Sequence, residues 1–170
     1  MRIHASDEAF VRARRRDVHP YLADVGGYGA WWPGASSRPS SGGARLTLHP
    51  PGRLVRPQQL DIVITEERPD LGVAFRVGGD VVGDGEWYLL DELDGVRVNY
   101  LLRAESRVPG VRRRMGHHRS SVRAALHALK DVLESGRAVG EEPHPELLAA
   151  QQQAIAEFEA GVERHAKRAH

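Results

Sequence analysis

The stretch Val18–Gly34, VHPYLADVGGYGAWWPG, decides how this chain folds. It begins as a helix. Asp17, just ahead of it, reads as an N-cap, and Val18, Tyr21 and Leu22 recur at i, i+3 and i+4. Pro20 is expected in the first turn, where its missing amide does no harm. Gly26-Gly27 ends the helix. A second short turn fits Tyr28 to Trp32 before Pro33-Gly34 stops it. Two of the three tryptophans, Trp31 and Trp32, therefore sit side by side in a breaker-rich connection. Adjacent side chains on a helical turn diverge by roughly 100°. One of the pair is expected to anchor the short helices to the domain, and the other to reach the entrance of an interior space.

On the N-terminal side, Ala9 to Ala13 alternates as a short strand, with Val11 and Ala13 on one face. On the other side comes a series of strands. Ala44–His49 puts Leu46 and Leu48 on one face. Gln59–Glu66 turns Leu60, Ile62 and Ile64 inward, and Gly72–Val77 does the same with Val73, Phe75 and Val77. Gly85–Leu93 places Trp87 and Leu89 together. Val96–Ala104 places Val96, Val98, Tyr100 and Leu102 inward, with Arg97, Asn99 and Arg103 outward. The breakers between them, RPDLG, GGDVVGDG and DELDG, are turn chemistry, so the strands form an antiparallel meander. One-sided alternation means one wet face and one face in need of a cover. The cover is a helix from about Val111 to Glu134, with Met115, His118, Val122, Ala125, Leu126, Leu129 and Leu133 as its apolar stripe. At 1.5 Å per residue it spans roughly 36 Å, enough to cross a curved sheet. A linker, 137–144, then leads to a last amphipathic helix within 145–170, carrying Leu148, Ile155, Phe158 and Val162. The fold class is α+β, with a domain over 1–136.

Composition narrows the function. The chain has 170 residues, no cysteine and a net charge of +1. A disulfide framework, a zinc–thiolate site and a thiol nucleophile are excluded. The opening MRIHASDEAF carries two acidic groups and no long apolar run, and no stretch approaches about 18 apolar residues, so a soluble cytoplasmic protein without a transmembrane segment is expected. The basic run around Arg112–Arg114, Arg119 and Arg123 lacks interleaved aromatics and reads as a solvated helix face, so no specific nucleic-acid partner is expected. Adjacent His117 and His118 cannot chelate from one helix face, and no H-x-x-x-H spacing occurs, so no metal is assigned. The glycine pairs lack the strand–loop–helix setting of a phosphate loop.

Val18–Gly34 resembles the opening motif of the START-like (SRPBCC) superfamily, the birch-pollen-allergen-like helix-grip fold. The likeness is to its polyketide cyclase/dehydrase and lipid-transport branch. It is carried by Val18, Tyr21, Leu22, Asp24, Tyr28, Trp31, Trp32, Pro33 and Gly34. A second likeness is GEWYLLDELDGVRVNYLL (Gly85–Leu102), similar to the family's penultimate hairpin. The resemblance spans about Ala9 to Glu134. Pro20 and the last helix depart from the pattern. It implies a mostly apolar cavity between sheet and long helix, holding a lipid, polyketide or other small hydrophobic molecule, with no cofactor.

The expected wall of that cavity is Tyr28, Trp31, Trp32, Ile62, Ile64, Phe75, Trp87, Leu89, Val98, Tyr100, Met115, His118 and Val122. The aliphatic members read equally as core. Tyr100 carries a hydroxyl that needs a partner when buried. His118, on the apolar stripe, has a near-neutral ordinary pKa suited to acid–base work. Together they are the candidate catalytic pair if the chain is a polyketide aromatase/cyclase or dehydratase rather than a binding module. In a third reading the last helix is the working surface, pairing with a second copy to form a homodimer.

Overall fold

The alternation just described lays down a single seven-stranded antiparallel sheet. The computed structural model describes residues 2–51, 56–106 and 110–135, with Ala149, Gln153 and Ala156 beyond them. The elements are β1 (Arg2–Val11), α1 (Arg15–Ala23), one 3-10 turn (Val25–Gly27), α2 (Tyr28–Trp31), β2 (Ala35–Ser40), β3 (Gly43–Leu48), β4 (Gln58–Arg68), β5 (Gly72–Gly79), β6 (Val81–Glu92), β7 (Gly95–Ser106) and α3 (Val111–Ser135). The spatial order is β1-β7-β6-β5-β4-β3-β2. The meander closes by bringing β1 back beside β7, so β1 and β2 are the two edges. This is the helix-grip arrangement: a curved sheet, two short helices after the first strand, and one long helix against the apolar face.

The chain divides into two units, Met1–Val139 and Gly140–His170. In the second, Ala149, Gln153 and Ala156 are helical. The rest of the expected last helix, with Leu148, Ile155, Phe158 and Val162, lies outside the described residues, as do the side chains of Arg112–Arg114.

Strands β3 to β7 follow the sequence reading. Leu46, Leu48, Leu60, Val73, Phe75, Val77, Trp87, Leu89, Val96, Val98, Tyr100 and Leu102 are all buried on one side. Several expectations need correction. β1 runs from Arg2 to Val11, not from Ala9 to Ala13. Between the inward Ile3 and Val11 its inward positions Ala5, Asp7 and Ala9 are small or polar, so the alternation is faint. Strand β2, ASSRPS, was not expected; it is an edge, where polar residues and Pro39 are tolerated. Helix α1 starts at Arg15 with no side-chain cap, so Asp17 lies in its first turn rather than at its N-cap. Pro20 is consequently interior. It denies an amide to the carbonyl of Arg16, which is exposed and can turn to water. Asp24, at the end of α1, caps the 3-10 turn that follows, accepting from the Gly27 amide at 3.1 Å. Asn99 is on the outer face as expected but buried, donating to the carbonyls of Arg97 and Tyr88.

Helix α3 makes its closest backbone approach to β1, with α2 and β7 next. Its polar side chains serve the open edge of β1. Arg119 donates to the His4 carbonyl at 2.9 Å, and Lys130 to the Phe10 carbonyl at 2.9 Å. Glu134 accepts from the Arg12 amide at 2.9 Å, and Arg123 pairs with Asp7 at 3.2 Å. Burial alone would raise the Glu134 carboxyl, but the Lys130 and Arg12 donors outweigh it and hold it below its ordinary value. Arg119 and Arg123 are thus exposed, as expected of a solvated face, yet they also blunt an edge strand. Lys130→Met removes the donor to Phe10 and the partner of Glu134. We expect it to lower stability by about 1 kcal/mol, read as a lower urea midpoint at unchanged slope. An unchanged midpoint would show that the clamp contributes nothing.

Candidate functional site

Beneath α3, large side chains converge from three directions. From the sheet come Phe75 on β5, Trp87 on β6 and Tyr100 on β7. From the short helices come Tyr28, Trp31 and Trp32. From α3 come Met115, His118, Ser121 and Val122. Trp87 and Tyr100 are cross-strand partners, with ring centroids 4.6 Å apart. Phe75 lies opposite Gly85 in the β5–β6 pairing, and its ring occupies the place where a β-carbon at Gly85 would sit, only 2.3 Å from that position. The missing side chain lets Phe75 lie flat and stack beside Tyr100, at 6.2 Å and 25°.

The two tryptophans take different roles. Trp32 turns inward. Its ring meets Trp87 edge-on at 6.2 Å, and its indole N–H donates to the Ser121 hydroxyl on α3 at 2.8 Å. Trp31 stays with the short helices, edge-on to Tyr28 at 5.2 Å, and borders a surface pocket with Pro20, Tyr21, Asp24, Gly27 and Ala30. Its indole N–H is buried without a partner. Gly34, at φ 69°, turns the chain sharply after them, and its carbonyl accepts from His49 on the far side of the β2–β3 hairpin. Tyr28 donates its hydroxyl to the Leu22 carbonyl at 2.6 Å. Burial raises its phenol far above the ordinary value, and a hydrogen bond from Trp87 offsets part of that.

Into this aromatic setting three polar side chains are sunk in a row. The Tyr100 hydroxyl lies 3.0 Å from His118 Nε2, and His118 Nδ1 lies 3.2 Å from Gln58 Oε1. Exposure is 4% for Tyr100, 0% for His118 and 2% for Gln58. Desolvation, helped by the nearby His117 and Arg119, pushes the His118 pKa down to about 4. Only about one molecule in a thousand then carries the imidazolium at pH 7. A neutral ring has one donor and one acceptor, and a glutamine carbonyl can only accept. So Nδ1–H donates to Gln58, and Nε2 accepts from the Tyr100 hydroxyl. Burial raises the Tyr100 phenol, so it keeps its proton for that bond.

Of the other expected wall residues, Ile62, Leu89, Val98, Met115 and Val122 are buried, and Ile64 is half-buried at a bulge between Ile64 and Glu66. His117 is half-buried, its Nε2 enclosed and without a partner among the described residues, and burial lowers its pKa. Glu86 and Glu92 lie on the outer face, paired with Arg68 and Arg97, whereas Asp91 keeps the inward phase of Trp87 and Leu89 and pairs with Arg15 at the start of α1. Sequence reasoning missed Gln58 and Ser121. Gln58 follows Pro57 at the very start of β4, where a glutamine looks like loop. Its only signal was the inward phase it shares with Leu60 and Ile62.

No family profile and no curated protein sequence matches the chain. Solved structures do. A conserved protein from Geobacillus kaustophilus superposes over 78% of this chain and 95% of its own at TM-score 0.61 and 14% identity. The di-domain ARO/CYC BexL of the BE-7585A biosynthetic pathway does so over 78% of this chain and 50% of its own, at 0.60 and 15%. The Aha1 dimer protein of Colwellia psychrerythraea covers 79% of this chain and 98% of its own, at 0.56 and 14%. The chain therefore shares the helix-grip fold of these structures. At these identities the likeness speaks for the fold alone. Among the described residues, no helix is long and apolar enough to cross a membrane.

The buried imidazole makes stability depend on pH. Its folded pKa, about 4, lies below the unfolded value near 6.5, so the unfolded chain binds the proton first as pH falls. The stability His118 allows is whole above about pH 6.5 and is lost on descending toward pH 4. Between pH 7.5 and pH 5 this amounts to about 2 kcal/mol. His118→Gln is expected to flatten the wild-type stability profile by that difference over this range, measured by chemical unfolding at stepped pH. Parallel profiles would contradict the buried, neutral ring.

Proposed function

We propose that the chain binds a small hydrophobic molecule between its sheet and α3, within a domain covering residues 1–136. The observation that supports this most is the Tyr100–His118–Gln58 row. Plain core filling is best served by apolar side chains, since each buried polar group must recover its lost hydration. Here three such groups from β7, α3 and β4 converge where the aromatic side chains also meet. A mostly apolar wall with a few convergent polar groups is how ligand sites are generally built. Ionised side chains on the inward phase of β4 and β6 are confined to the strand ends, Glu67 beside His19 and Asp91 beside Arg15 of α1, so the expected occupant is uncharged over most of its surface. Nile red, a neutral lipophilic dye, should bind saturably at one per chain, and Trp87→Ala and Tyr100→Phe should shift its affinity by roughly fivefold or more. Binding unchanged in both variants would remove the sheet–helix space as the site.

A second reading, a polyketide aromatase/cyclase or dehydratase, is favoured by the fold shared with ARO/CYC proteins such as BexL. In it Tyr100 and His118 orient a poly-ketone chain. With a pKa near 4, His118 is a weak base at neutral pH, so its role is to hold the Tyr100 hydroxyl rather than to carry protons. Turnover of a poly-β-ketone surrogate that falls in His118→Ala would establish this reading; no turnover, or equal rates, would leave binding alone.

The last helix, 145–170, joined by the linker 137–144, is proposed to pair with a second copy. Its apolar residues would otherwise face water. Cutting after Ser135 should reduce the assembly on a sizing column; identical elution would assign those residues elsewhere.

A further inference from the structure

The hydrogen-bond direction in the buried row leaves one group unsatisfied. Gln58 gives its carbonyl to His118, which turns its amide nitrogen away. That nitrogen carries two N–H donors, is buried, and has no partner among the described residues. An orphaned buried donor forfeits its hydration with no return, so its persistence asks for a reason. Turning the amide over would leave the row no better satisfied. Doing so would face Nε2 to the Nδ1–H of His118, donor against donor, unless the imidazole also changed tautomer. Nε2 would then carry the hydrogen, and Tyr100 would have to give up donating to it. The Gln58 carbonyl seated on Nδ1 thus fixes the imidazole tautomer, and that tautomer makes Tyr100 the donor at Nε2.

The surroundings supply nothing else for that donor. The register puts Gln58 opposite Leu48 on β3, and its inward neighbours along the sheet are Leu46, Leu60 and Ile62. The nearby carboxylate of Asp80 is committed to the backbone amide of Gln59, on the next residue.

We propose that the Gln58 amide nitrogen recognises an oxygen acceptor, a ketone or comparable carbonyl, on the hydrophobic molecule held under α3. This rests on the ligand-binding reading above and sharpens it: the molecule carries an oxygen at the β4 end of the space, and the row Tyr100–His118–Gln58 is a positioning device for one donor. The Tyr100 proton is spent on His118, so Tyr100 acts through Gln58 rather than on the ligand.

The test compares two probes that differ only in the acceptor: propionyl-dimethylaminonaphthalene, a fluorescent ketone, and dimethylaminonaphthalene without the ketone. Wild-type protein is expected to prefer the ketone by about tenfold. In Gln58→Met, a near-isosteric change without donors, that preference should fall to near one. A preference that persists in Gln58→Met, or that collapses in Tyr100→Phe while surviving in Gln58→Met, overturns the assignment. Should Gln58→Met fail to fold, the wild type alone decides. The infrared carbonyl band of the carbon-13-labelled ketone must lie below its position in hexane when bound, and a band at the hexane position overturns the assignment. If neither probe binds wild-type protein at all, it is the ligand-binding reading that falls, taking this inference with it; if both bind without preference, only the inference falls.

Discussion

One buried imidazole connects everything that covers the sheet. His118 sits near the start of α3, fully out of water, and reaches β7 through Tyr100 and β4 through Gln58. A charged ring there would cost several kcal/mol, so burial keeps it neutral, and neutrality gives it one donor and one acceptor. That asymmetry then sets the orientation of both neighbours. The helix is thereby pinned to two strands on opposite halves of the sheet, in addition to the apolar contacts of Val122, Ala125, Leu126 and Leu129. At the far edge, Lys130, Arg119 and Glu134 serve the backbone of β1. The same helix therefore closes the apolar face with one side and shields an edge strand with another.

Much of this was written in local patterns. Leu60, Ile62, Val73, Phe75, Val77, Trp87, Leu89 and Val98 alternate so regularly that strands β4 to β7 and their inward face follow from period-two counting. The Met115–Leu133 stripe gives the helix that covers them. The edges did not show themselves, for a physical reason. β1 carries small or polar side chains at the inward positions Ala5, Asp7 and Ala9, with Asp7 paired to Arg123, and β2 has little to bury. Pattern reading detects burial of large apolar groups, and edges bury few of them.

The candidate site was half legible. Tyr100 and His118 fall on apolar faces of their own elements, and a polar residue in such a place is conspicuous. That the two meet is a tertiary fact, fixed by how α3 lies across β7. Gln58 was hidden because its partner is 60 residues away on another element. The paired tryptophans show the same limit. Adjacent positions had to diverge, but the Ser121 hydroxyl on α3 and the Trp87 ring are what draw Trp32 inward and leave Trp31 with Tyr28.

The measurement that bears most directly on this account is nitrogen NMR of the His118 ring at neutral pH. The account requires a neutral imidazole with its hydrogen on Nδ1 and Nε2 as the acceptor, a state that should persist well below pH 6.5. A ring protonated on Nε2, or an imidazolium at neutral pH, would reverse the hydrogen-bond row and contradict the account.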